Sequence, residues 1–253
     1  MTTTAIRDLS PGKTTGSVLS QHTSKRWGNA HVFIDKDQQS RKYVVKDFSV
    51  CPAFIRYTSS WFLLWRENRA LNRLQHINGI PGPPIIRSRW TLRYPYIPGI
   101  TLREAIHKQH KINPTFFKDL ENLVIKMHKN GVIHLDLRNR RNILVTEDNK
   151  PALIDFQTAI FTDHLPGFIK HFLFDIDLTG IYKHWHKGSP ETMTRKQKEA
   201  VNRMAALRPL WILKGYPIRE LVRRVRSKSP QRKRNRRKIE IKDDNKPQTN
   251  SPS

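Results

Sequence analysis

Four ionisable side chains occupy positions where burial is costly. In the run Tyr43-Val-Val-Lys-Asp-Phe48, strand alternation puts Lys46 on the face of Val44 and Phe48. Ser60, Leu64, Glu67, Leu71 and Leu74 recur at spacings of three and four, so Glu67 lies on the apolar stripe of a helix. A lone buried ammonium or carboxylate is expensive, and a pair is much less so. Lys46 and Glu67 are therefore natural partners, the alternative being that each reaches solvent at an edge. Asp136 lies in Gly131-Val-Ile-His-Leu-Asp-Leu137, and Asp155 closes the apolar run Pro151-Ala-Leu-Ile-Asp-Phe156. Either Asp could simply form a turn. Together, with Asn142 between them in sequence, they could instead hold a hard cation. Magnesium prefers oxygen ligands, commonly one or two carboxylates completed by phosphates.

The elements that must position these residues are legible in outline. Apolar runs at 30–34 and 41–48, separated by a polar stretch, predict a β-hairpin. A helix is predicted over 60–77, and the Gly/Pro-rich stretch 79–84 breaks it. Strands follow at 85–88 and 90–94. Thr101-Leu-Arg-Glu104 has the form of a capping box. A second helix is predicted over 114–129, with Gly131 as its stop. A second hairpin pairs 143–145 with 152–156, and 165–225 reads as helical. The pattern predicts an α+β chain with a β-rich N-lobe (1–93) and a helical C-lobe (94–225), and a ligand cleft between them.

Composition narrows the functional classes. The 253 residues are 37% hydrophobic and 27% charged, which excludes collagen-like and wholly disordered chains. Lys and Arg number 47 against 21 acids, a net charge of +26 that points to polyanionic partners. The residues 226–253 read as a disordered basic tail, either a solvated extension or an arm for RNA, the ribosome or an anionic membrane surface. Cys51, the one cysteine, excludes an intrachain disulfide framework and reads as a small apolar filler. No apolar run is long enough to span a bilayer and no signal peptide is visible. The expected location is cytoplasmic, or peripheral on the inner face of the membrane. His164, His171, His184 and His186 read as ordinary helix or loop residues. Asp175 and Asp177 either anchor a loop from a later helix or cap that helix.

Taken in order, these residues resemble those of a protein kinase. His134-Leu-Asp136 with Asn142 resembles the catalytic loop H-R-D-x-x-x-x-N, Asp155-Phe156 resembles D-F-G, and Val44-Val-Lys46 resembles the lysine-bearing strand. The similarity spans roughly residues 20–185 and looks most like the compact RIO-like and lipopolysaccharide-core (Kdo/heptose) kinases of bacteria. It implies a bilobal protein-kinase-like fold, with ATP at the lobe junction beside 94–97. By the same resemblance, Lys46 meets the ATP phosphates and is held by Glu67, while Asn142 and Asp155 bind magnesium. Asp136 takes the proton of the acceptor hydroxyl, and Arg138 supplies a cation near the transferred group. The implied acceptor is a Ser/Thr hydroxyl on a protein, or a hydroxyl of a lipopolysaccharide core sugar.

Three departures from that pattern bear on activity. Asn142 follows Asp136 by six residues rather than five, with Asn139 as a competing candidate. Gln157 stands where D-F-G has glycine. No G-x-G-x-x-G is present, and the loop 21–30 offers only Gly28. These departures fit a second reading, a pseudokinase scaffold that binds RNA, anionic lipid or a protein partner. A plain nucleic-acid-binding module lacks any supporting motif.

Overall fold

The structure is a computed structural model, described here for residues 30–206. The loop 21–29, the helix expected beyond 206 and the basic tail lie outside the described residues. The described residues up to Asn202 belong to one compact unit.

Strands β1 (His31–Lys36) and β2 (Lys42–Asp47) form the expected hairpin. Its turn is fixed by Asp37, whose carboxylate accepts from the backbone of Gln39 and Arg41. Strand β4 (Thr91–Pro95) pairs with β2 and carries β3 (Ile85–Ser88) on its far side. The result is a four-stranded antiparallel sheet in the order β1-β2-β4-β3.

Between β2 and β3 the chain turns through α1 (Ala53–Ile55), a π-helical turn (Arg56–Ser60) and α2 (Trp61–Leu74). The periodicity places α2 correctly: Leu64, Glu67, Ala70, Leu71 and Leu74 are its buried residues. Leu64, Ala70, Leu71 and Leu74 pack in one core with Phe48, Leu92 and Tyr94 of the sheet region. Burying such side chains stabilises by roughly 1.5–3 kcal/mol each.

The capping box forms as expected. Thr101 accepts from the Glu104 amide, and the Glu104 carboxylate accepts from the Thr101 amide. This fixes α3 (Leu102–His107) directly after β5 (Gly99–Thr101). Helix α4 (Phe116–Lys129) ends in Lys126 and Lys129, cations that suit the negative end of a helix. Gly131 terminates it at φ +70°, and the side chain of Arg73 fills the space where a Cβ would project.

Strand β6 (Val132–Ile133) pairs with β9 (Ile160–Phe161), and β7 (Ile143–Thr146) pairs with β5 and with β8 (Pro151–Leu153). Here the sequence reading needs correction. The strand expected over 152–156 stops at Leu153, and Phe156–Thr158 forms a 3-10 turn. The cause is Asp155, which takes φ +68° and ψ +69° and breaks the extended run. The long helix α5 (Gly167–Gly188) and α6 (Arg195–Ala206) complete the described elements. No helix among the described residues is long and apolar enough to cross a membrane.

Candidate active site

Lys46 rises from β2 as a buried side chain and lies between two carboxylates. Its Nζ donates to Glu67 Oε1 at 2.8 Å and Oε2 at 3.0 Å, and to Asp155 Oδ1 at 2.8 Å. Glu67 is completely buried, whereas the Asp155 side chain is 42% exposed. Strand β2, helix α2 and the turn after β8 thus converge on one ammonium.

The charges respond to one another. Burial opposes the charged form of Lys46, but the carboxylates of Asp155 and Glu67 outweigh it and hold the ammonium well above its ordinary range. Burial likewise pushes Glu67 up, the Lys46 charge opposing. For Asp155 burial would raise the pKa, yet the charge of Lys46 and its hydrogen bond prevail and hold it below the usual carboxylate value.

Asp136 lies in the loop between β6 and β7. Its Oδ2 accepts from Asn142 Nδ2 at 2.9 Å and from Asn139 Nδ2 at 3.3 Å. Asn142 Nδ2 also donates to the Asp136 carbonyl at 3.1 Å. The extra residue of this loop is absorbed by two successive turns, Asn139 N to Asp136 O and Asn142 N to Asn139 O. Both asparagines therefore reach Asp136, and Asn142 binds it at two atoms while leading directly into β7. Burial raises the pKa of Asp136, against the hydrogen bonds from the asparagines.

The loop is suspended from α5. Asp177, buried there, accepts from the amides of His134 at 2.7 Å and Leu135 at 2.8 Å, and meets His128 Nε2 at 3.1 Å. Leu135 sits at φ +64°, an unusual conformation for a bulky side chain, and its bond to Asp177 helps hold it there. Of the two readings for Asp175 and Asp177, anchoring holds for Asp177. His184, read from sequence as an ordinary residue, is a second brace from α5. Its Nε2 meets the Leu137 carbonyl at 3.1 Å and its Nδ1 accepts from Arg140 at 3.3 Å. Gly180 allows this approach, because a Cβ there would lie 3.2 Å from Arg138 N and Cγ. Arg138 itself has an exposed side chain beside Asp136 in sequence.

Gln157 closes the arrangement differently from a glycine. Positive φ falls on Asp155 instead, and the Gln157 carbonyl accepts from Arg66 of α2 at 3.2 Å. Thr158 donates to the His134 carbonyl at 2.8 Å, and the buried Phe156 ring lies 4.8 Å from the His134 ring. Further along, Arg73 of α2 makes a bidentate pair with Asp163, 2.7 Å at each nitrogen. Arg66, Arg73, Asp163, Thr158 and His184 were not singled out as site residues from the sequence. Of these, only His184 drew notice in the sequence, where it read as an ordinary helix or loop residue.

The donor set suits a hard divalent cation shared with phosphates. Asp155 offers a partly exposed carboxylate, Asn142 an amide oxygen and Asp136 a second carboxylate close by. The described residues contain no group of three or more His, Cys, Asp or Glu side chains able to form an all-protein metal cage. Two carboxylates and an amide fit magnesium bound mainly through a nucleotide.

An antiparallel sheet with its buried Lys–Glu pair, above a loop held by a helical Asp, defines a protein-kinase-like fold. Within that class, the family model of the RIO domain matches residues 29–198, more than half of the chain, and the chain belongs to that family. It is 27% identical over 173 residues to the serine/threonine-protein kinase rio2 of Schizosaccharomyces pombe, covering 62% of this chain and 48% of the relative. It is 31% identical over 131 residues to rio2 of Dictyostelium discoideum, covering 50% of this chain and 24% of that relative. The chain thus spans about half or less of these curated relatives. Among solved structures, the Rio2 kinase–ADP/Mg2+–phosphoaspartate complex of Chaetomium thermophilum aligns with a TM-score of 0.53 at 21% identity, over 73% of this chain and 60% of that one. That likeness is one of fold.

Proposed function

We propose that this chain is an ATP- and magnesium-dependent phosphotransferase, an atypical RIO-like serine/threonine protein kinase acting on a protein hydroxyl. The carrying observation is the convergence of Lys46, Glu67 and Asp155 from three distant elements, each carboxylate accepting from Lys46 Nζ at 2.8 Å. A scaffold has no need to bury these charges. The names of the relatives, both serine/threonine-protein kinases, support the same reading. So does the ADP and magnesium in the related Rio2 complex.

In this reading Lys46 neutralises phosphate charge, and Glu67 fixes its direction. Asp155 and Asn142 hold magnesium, which when bound screens the charge on the phosphates. Asp136 accepts the acceptor hydroxyl's proton, and the asparagines orient its carboxylate. Arg138, exposed beside it, offers a cation to the transferred group. Catalysis is then mainly positioning and electrostatics.

The test is calorimetric titration with ATP, with and without magnesium, on the wild type and on Asp155→Ala. Magnesium-dependent binding is expected for the wild type and none for the variant, with the fold intact by circular dichroism. A variant that keeps full magnesium-ATP binding and phosphotransfer overturns the assignment. A folded wild type that binds no nucleotide supports the pseudokinase reading, which Gln157 and the lengthened Asp136–Asn142 loop favour. An acceptor screen separates protein hydroxyls from lipopolysaccharide core sugars, an acceptor class that draws no support from the relatives.

Because burial raises Asp136, the deprotonated base is lost at a higher pH than for an ordinary Asp. The acid limb of turnover is expected at a higher pH than an unperturbed Asp gives. An acid limb that does not shift in Asn142→Ala or Asn139→Ala, whose amides bond the carboxylate, removes Asp136 from the role of base.

A further inference from the structure

On the side of α1 and α2 away from the core, the chain departs from the usual rule that an exposed helix face is polar. Phe54, Tyr57, Trp61, Phe62 and Trp65 are all exposed there, Phe54 at 78% and Trp61 at 56%. From Phe54 to Trp65 the stripe runs for about 17 Å at helical rise. Monomeric proteins rarely show so dense a group of large apolar side chains without a partner.

The surroundings of the stripe are mainly basic. No acid occurs between Asp47 and Glu67, and Glu67 is buried against Lys46. In the neighbouring stretch 84–93, Arg87 and the buried Arg93 face Asp35, which leaves Arg89 to the aromatic side. Arg69 is shared with Asp163 at 3.5 Å. The two segments adjoin, since the rings of Tyr57 and Trp90 meet edge-on at 5.2 Å. Guanidinium groups lie over the aromatic rings: Arg66 over Phe62 at 4.2 Å, Arg69 over Trp65 at 5.4 Å and Arg89 over Trp90 at 5.1 Å.

We propose that this aromatic and arginine-rich face docks on an anionic lipid bilayer. Apolar rings enter the headgroup–acyl boundary while the arginines meet lipid phosphates. A single-stranded nucleic acid would also match the charge, but it binds by stacking bases on open ring faces. Here a guanidinium carbon already lies over one face of Phe62, Trp65 and Trp90. The most exposed member, Phe54, has no polar handle, which suits hydrocarbon rather than a base. The inference does not depend on catalysis: none of the exposed rings belongs to the Lys46 site, and of the arginines only Arg66 also touches it, at the Gln157 carbonyl.

The experiment uses the full chain and co-sedimentation with phosphatidylcholine vesicles, with and without phosphatidylglycerol. Wild type is expected to bind the anionic vesicles, less so as salt rises. The double variant Phe54→Ser/Trp61→Ser is expected to bind about tenfold more weakly, the loss of two inserted aromatics. Phe168→Ser, equally exposed on α5, is expected to bind as wild type. A second measurement requires no disruptive change: brominated acyl chains should quench tryptophan emission, and Trp61→Phe should remove part of that quenching. Magnesium-ATP titration of the same variants separates a failure of this inference from a failure of the kinase reading. The proposal falls if the double variant binds vesicles like wild type and quenching is absent, the basic tail then accounting for attachment. It also falls if wild type ignores vesicles but binds a single-stranded oligoribonucleotide that the double variant releases.

Discussion

Lys46 satisfies two carboxylates at once, so its removal has consequences for both. In Lys46→Met, Glu67 is left completely buried with no cation beside it. Breaking one partner of a buried pair costs about 3–5 kcal/mol. Removing both in Lys46→Met/Glu67→Leu restores an apolar fit and is expected to recover most of that loss, while nucleotide turnover stays absent. Urea denaturation of the two single variants and the double variant checks this as a thermodynamic cycle. Additive losses would show that the two residues do not depend on each other. This pair was legible in the sequence because each charge broke an apolar period, one of two and one of about four. Asp136 and Asn142 were legible only through their spacing and order.

Helix α2 is fastened at two further points besides Glu67. Arg66 reaches the Gln157 carbonyl, and Arg73 grips Asp163. Arg73 therefore acts on the site only through the position of α2. Arg73→Ala is expected to raise the KM for ATP about threefold to tenfold with little loss of stability, since solvent screens the exposed pair. The charge-swapped Arg73→Asp/Asp163→Arg should restore much of the affinity. A KM unchanged in Arg73→Ala would show that Glu67 and the core alone hold the helix. Such ties left no mark in the sequence, because partners 90 residues apart share no local pattern. The same holds for α5. Apolar residues are spread around it rather than gathered in a stripe, so periodicity could not show which face touches the catalytic loop. The two hairpins, α2, α4 and the capping box were all read closely, because their signals are local. The end of β8 was misread, since an apolar run cannot show that its Asp adopts positive φ.

Across the molecule, burial makes the fold sensitive to acid. His184 is buried and its pKa is pushed down from 6.5 to about 4, first by burial and then by nearby cations, although its bond to the Leu137 carbonyl opposes this. Between those values the unfolded chain binds a proton that the folded chain refuses. Stability should therefore fall as pH drops from about 6.5 toward 4, by up to about 1.4 kcal/mol per pH unit from this group. Denaturation between pH 7 and 5 should show a flatter dependence in His184→Gln; an identical slope would mean that other groups set the acid limit. The suspension of the loop from α5 also has a consequence for synthesis. His134 and Leu135 emerge from the ribosome 43 and 42 residues before the Asp177 that holds them, and Leu137 waits longer for His184. Until α5 has emerged and packed, the nascent chain has every residue of the cleft except those that shape it. On the kinase reading proposed above, a growing polypeptide thereby stays silent until nearly the whole domain is made.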